Sequence, residues 1–128
     1  MSYYFTKELN ISFDDAIAKV TEELKKEGFG ILTDIDVKAT LKKKLDVDFR
    51  PYRILGACNP PFAFQALQTE DKIGTMLPCN VVVQEKTPGK VEVTSIDPVA
   101  SMAAVNNPSL RTVGEQVREK LKRVIDNL

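Results

Sequence analysis

The chain of 128 residues contains no histidine. That absence removes the commonest general base at neutral pH, and with it every Ser–His or Cys–His nucleophile and every zinc site built on imidazole. Cysteine is almost missing as well, with only Cys58 and Cys79. Two cysteines make no disulfide scaffold, so a reducing, cytoplasmic setting is the expectation. Two thiolates also cannot close a four-ligand metal site unless carboxylates or a second subunit complete it. No resident metal or cofactor is expected. Net charge is absent too, since 18 basic residues balance 18 acidic ones. A neutral chain has no clustered positive field for nucleic acid or anionic lipid, and neither partner is expected. Weak long-range repulsion leaves self-association open, and a homodimer is expected. The start, Met1 to Glu8, lacks the basic and apolar regions of a secretory signal, and no run approaches the roughly 20 apolar residues of a membrane span. No glycine-rich phosphate loop occurs; Thr87-Pro88-Gly89-Lys90 reads as a turn that ends in lysine.

What remains is an ordinary soluble composition, 43% hydrophobic and 28% charged, in a length that fits one domain over residues 1–128. Tyr3 to Leu9 reads as a first strand. Ser12 caps a helix with Asp14 and Asp15 in its first turn and Lys25 and Lys26 in its last, matching the macrodipole. Phe13, Ile17, Val20 and Leu24 fall on one face, and Gly28 supplies a left-handed stop. Ile31, Thr33, Ile35 and Val37 alternate with Leu32, Asp34 and Asp36, which predicts a strand with one drier face. A short helix is expected from Thr40 to Asp46, exposing Lys42, Lys43 and Lys44. A strand follows over Tyr52 to Ala57 and ends at Cys58. Asn59 and Pro60 then form a cap-and-proline start for a short apolar helix through Phe62, Ala63, Ala66 and Leu67. An irregular stretch leads to Pro78.

Cys79 to Glu85 and Val91 to Asp97 alternate with period two and predict a hairpin, turned by Pro88-Gly89 as a type II turn. Asp97-Pro98 and Asn107-Pro108 repeat the helix-start pattern. The second opens a long helix with Leu110, Val113, Val117, Leu121, Val124 and Leu128 on one stripe. The order predicts an α+β domain: one antiparallel sheet of about five strands (β-α-β-β-β-β-α, with short extra helices) and two main helices on one face.

The segments Ile54 to Pro60, Leu77 to Val83 and Asp97-Pro98 together resemble domain-of-unknown-function family 302 over nearly the whole chain. The resemblance implies a TATA-binding-protein-like arrangement of strand, helix, four strands and helix. It brings no established activity.

Cys58-Asn59 ends one predicted strand and Cys79-Asn80 begins the next. If those strands are antiparallel neighbours, Cys58, Asn59, Cys79 and Asn80 converge on one candidate thiol or ligand site. Three readings stay open there: small buried hydrophobes with turn-satisfying asparagines, a functional thiol pair, and a metal or cofactor ligand set, including one shared between subunits. Asp34 and Asp36 share a predicted strand face and fit either a solvated edge or a divalent cation, while Lys42 to Lys44 fit a solvated helix face or an anion contact. Phe62 and Phe64 sit on a helix too small to bury both, so one is expected in the core and the other toward a partner. Tyr3, Tyr4 and Phe5 pose the same choice. No catalytic residue is assigned. The expected function is a small ligand-binding or interaction module with no established activity; the alternative is a thiol-dependent redox protein using Cys58 and Cys79.

Overall fold

The computed structural model describes residues 2–128. The chain runs through β1 (Tyr4–Leu9), α1 (Phe13–Lys26), β2 (Gly30–Asp36), α2 (Val37–Leu45), β3 (Tyr52–Cys58) and α3 (Pro60–Thr69). A 3-10 turn (Ile73–Met76) leads to β4 (Cys79–Thr87), β5 (Lys90–Ile96), α4 (Pro98–Ser101), a second 3-10 turn (Met102–Ala104) and α5 (Leu110–Asp126). All strand pairings are antiparallel, in the order β1-β5-β4-β3-β2. The α+β class, the single sheet and its five strands agree with the pattern in the sequence.

Helices α1 and α5 pack against each other and against β4, β5 and β1. Their apolar stripes explain why. Val20 and Leu24 of α1, and Leu110, Val117, Leu121 and Val124 of α5, are all buried. They meet Leu55, Val81, Val83, Val91 and Val93 from one face of the sheet. The other face carries Tyr4, Thr6, Gln84 and Thr94, with Thr6 Oγ1 and Thr94 Oγ1 joined at 2.9 Å. Period-two alternation therefore sorts the strand residues into a covered face and an open one.

Charged groups fasten α5 in place. Arg118 Nε donates to Asp97 Oδ2 at 3.2 Å, its guanidinium lies 5.2 Å from the Phe5 ring centroid, and Arg123 reaches Glu27 Oε1 at 2.9 Å. The Arg123 hydrogen bond holds Glu27 below the usual carboxylate range, against a smaller opposing effect of burial.

Local departures from the expected pattern have physical causes. The alternation through 31–37 breaks at a bulge: Ile31 pairs with Ala57 but Thr33 pairs with Gly56, leaving Leu32 extra and 67% exposed. Thr33 and Ile35 thus lie on the opposite face from Ile31. Val37 is helical, because the Asp36 side chain accepts from Ala39 N at 2.9 Å and starts α2 there, earlier than expected. Asp34 faces Arg53 of β3, whose Nε donates to Oδ1 at 2.8 Å while Nη2 binds Oδ2. That bidentate hydrogen bond lowers the Asp34 pKa. Both aspartates therefore have protein partners, and among the described residues no cluster of three metal-ligating side chains forms. Lys42 pairs with Asp46 at 2.9 Å at the end of α2. Helix α5 is regular from Leu110; ahead of it Asn107 Oδ1 accepts from Ser109 N at 3.2 Å, a bond of capping type, while its Nδ2 donates to Thr69 O at 2.9 Å.

Candidate functional site

Strands β3 and β4 meet in a register that sets Ala57 opposite Cys79 and Gly56 opposite Asn80. Ala57 and Cys79 are buried on the helix-covered face. Cys58 lies one residue further along, pairs with Gly30 of β2, and is half-buried. Both thiols are free and lie one register step apart at one end of the sheet. Asn80 is exposed on the open face and stands apart from them.

Helix α3 closes over this end of the sheet. Pro60 and Pro61 occupy its first turn and fit the fixed φ of a helix start. They also lack N–H groups, which removes two of the donors a helix start leaves open. Asn59 stands at the cap position, yet its side chain makes no cap hydrogen bond to α3. Its Nδ2 donates instead to Glu27 O at 3.1 Å, the carbonyl at the end of α1. That end is a Schellman turn: Gly28 adopts φ +86°, Gly28 N donates to Lys25 O at 3.0 Å, and Phe29 N donates to Leu24 O at 2.9 Å. Asn59 therefore joins the end of α1 to the start of α3, and the turn drives Phe29 into the interior.

Between these parts lies a cavity of about 310 Å³. Phe29, Ala57, Cys79, Ala66, Val113 and Val117 form its deep wall, all of them buried. Cys58, Phe62, Ala63, Leu77, Pro78 and Met102 line its half-buried part. Leu32, 67% exposed, and Leu67, 44% exposed, carry the apolar lining out to solvent. No lining side chain is charged, and Asn59 is the only amide among them.

Burial pushes the Cys79 thiol up to about 11, with a smaller contribution from repulsion by Cys58. At neutral pH it is a protonated, weakly polar wall element. The cavity thus offers sulfur and hydrocarbon surface, without fixed charge.

Gly56 fixes the strand geometry behind the cavity. A Cβ there would run into Thr33 Oγ1 and lie 2.7 Å from Pro78 Cγ. Among the two phenylalanines of α3, Phe62 packs against the core and lines the cavity while Phe64 is 63% exposed. Sequence reasoning brought forward Cys58, Asn59, Cys79 and Phe62 but missed Phe29, Met102 and Val113 as wall residues. Their only signal was apolarity, which every core position shares.

The family model described as domain of unknown function DUF302 matches residues 5–128. The chain belongs to this family. A DUF302 member of known structure, an uncharacterized conserved protein from Bacillus stearothermophilus, is similar to it at 28% identity. The likeness covers 98% of each chain with a TM-score of 0.90. No curated protein matches the sequence. DUF302 membership carries no activity with it, so the chemistry of the cavity has to speak for the function.

Proposed function

We propose that this DUF302 protein is a small-molecule binding module whose ligand occupies the cavity between α3, α5 and the β3–β4 end of the sheet. One observation carries the reading: a cavity of about 310 Å³ with no charged lining residue continues into an exposed apolar rim at Leu32 and Leu67. Ligand sites are concave, mostly apolar and furnished with few polar groups, and the cavity has that character. A ligand that covers apolar surface of this kind removes it from water, which favours binding.

The thiol-exchange alternative is less favoured. A thiolate is the attacking species, and a Cys79 held at about 11 supplies almost none at neutral pH. Cys58, half-buried beside it, precedes a helix start with two fewer N–H groups to offer a thiolate, because Pro60 and Pro61 follow Asn59. The unpaired state of both thiols suits a cytoplasmic location. Self-association finds support in the exposed aromatic side chains Tyr3, Tyr4 and Phe64.

The neutral probe N-phenyl-1-naphthylamine tests the reading. Micromolar binding with a blue-shifted emission and one site per chain is the expected result. An emission that stays at its aqueous value across the titration would remove the proposal. Native mass spectrometry of the same sample reads the subunit count, and a single-chain mass at micromolar concentration would end the homodimer reading.

A further inference from the structure

Asn59 is 8% exposed and lines the cavity, so its amide is the one strongly polar side chain that a ligand there would meet. Its orientation is set by chemistry. Glu27 O is a carbonyl and accepts only, so the arm that touches it at 3.1 Å must be the NH₂ group. The other arm, Oδ1, is a pure acceptor. It receives no hydrogen bond from α3, whose first turn contains Pro60 and Pro61. No hydrogen bond to it is found from any other described residue, and no fully buried side-chain oxygen or nitrogen lacks a partner. Among the described residues Oδ1 thus has no donor, and it keeps some accessible surface.

Resting on the binding reading above, we infer that the cavity selects a neutral, mainly apolar molecule carrying a single hydrogen-bond donor, which it presents to Asn59 Oδ1. Charged molecules are refused, because no lining side chain compensates a carboxylate, phosphate or ammonium that loses its water. A molecule with no donor fits the hydrocarbon wall but leaves Oδ1 stripped of solvent and unpaired. A molecule with one donor satisfies both requirements. The thiols of Cys58 and Cys79 and the thioether of Met102 add polarizable surface that suits a flat π-system.

Three probes of nearly equal shape separate these requirements: indole, with one N–H donor; 1-benzothiophene, with none; and indole-2-carboxylate, which carries a charge. Each is titrated against the wild-type protein by displacement of N-phenyl-1-naphthylamine. Indole is expected to bind about fivefold tighter than 1-benzothiophene, the factor one hydrogen bond commonly gives. Indole-2-carboxylate is expected to bind at least about 100-fold more weakly than indole. In a ¹⁵N-resolved spectrum the side-chain amide signals of Asn59 move with indole and less with 1-benzothiophene. Equal affinities for the two neutral probes would overturn the donor requirement while leaving the cavity a ligand site. Carboxylate binding as tight as indole would overturn the selection for neutral molecules in the same way. Failure of all probes, N-phenyl-1-naphthylamine included, would remove the binding reading and this inference with it. Asn59 itself is left intact in these titrations, since its Nδ2 holds the end of α1.

Discussion

Cys79 looks reactive in the sequence because cysteine is rare there, yet its surroundings make it inert. Its side chain stands opposite Ala57 on the covered face, and burial holds its pKa at about 11 against an ordinary 9.0. The link to stability has a definite sign. Between those values the unfolded chain has released the thiol proton and the folded chain has kept it, so stability is present below about pH 9 and falls as pH rises toward 11. The full effect is on the order of 2–3 kcal/mol. Urea denaturation of the wild type and of Cys79→Ala, compared at pH 8 and pH 10.5, reads it. The gap between the two proteins should narrow at the higher pH; a gap that stays constant would contradict the assignment. The pair Cys58 and Cys79 was legible in the sequence as a convergence of two strand ends. Which of the two lies deep was not legible, because that depends on register, and the register of β3 against β4 moves a side chain from one face to the other with each one-residue slip.

At the level of elements, α3 is where local sequence and actual role part company. Asn59-Pro60-Pro61 has the pattern of a capped helix start, and a helix does begin at Pro60. The cap hydrogen bond, however, is replaced by one that runs 32 residues back along the chain to Glu27 O. A tertiary contact has taken over a side chain that local rules assign to its own helix. The two roles predict different behaviour for Asn59→Ser. Serine caps a helix as well as asparagine does, so a capping role predicts little change. A clamp on α1 predicts a loss of about 1–2 kcal/mol, because serine does not reach Glu27 O and leaves that carbonyl unpaired. Equilibrium urea unfolding distinguishes them, and a change smaller than about 0.5 kcal/mol would sink the clamp. The bulge at Leu32 escaped sequence reading for a related reason. Ile31 to Val37 alternates without a break, and the extra residue shows only in the pairing, where Ile31 stands opposite Ala57 and Thr33 opposite Gly56.

For the whole molecule, the broad design follows from patterns written plainly in the chain. Two helices with single apolar stripes and five short alternating segments leave few arrangements other than one sheet with both helices on one face. The stripe from Leu110 through Val124 to Leu128 is buried along its length, as its spacing requires. The cavity is a different kind of feature. Its wall draws on the Phe29 turn, the end of β3, α3, the start of β4, Met102 and α5, and no local stretch announces that these leave a gap. Sequence patterning decides which residues turn inward, whereas the space left between them depends on how far α3 stands from α5.

Ala63 gives the most direct test of the account, because it is a half-buried cavity residue of α3 outside the tightly packed core. Replacing it as Ala63→Trp adds an aromatic ring to the cavity while leaving Cys58, Asn59 and Cys79 in place. Binding of N-phenyl-1-naphthylamine, measured beside an unchanged far-UV circular dichroism spectrum, should weaken by at least about tenfold, the cost of forcing a filled site open. A folded Ala63→Trp protein that binds the probe as tightly as the wild type would contradict the claim that this cavity is the binding site.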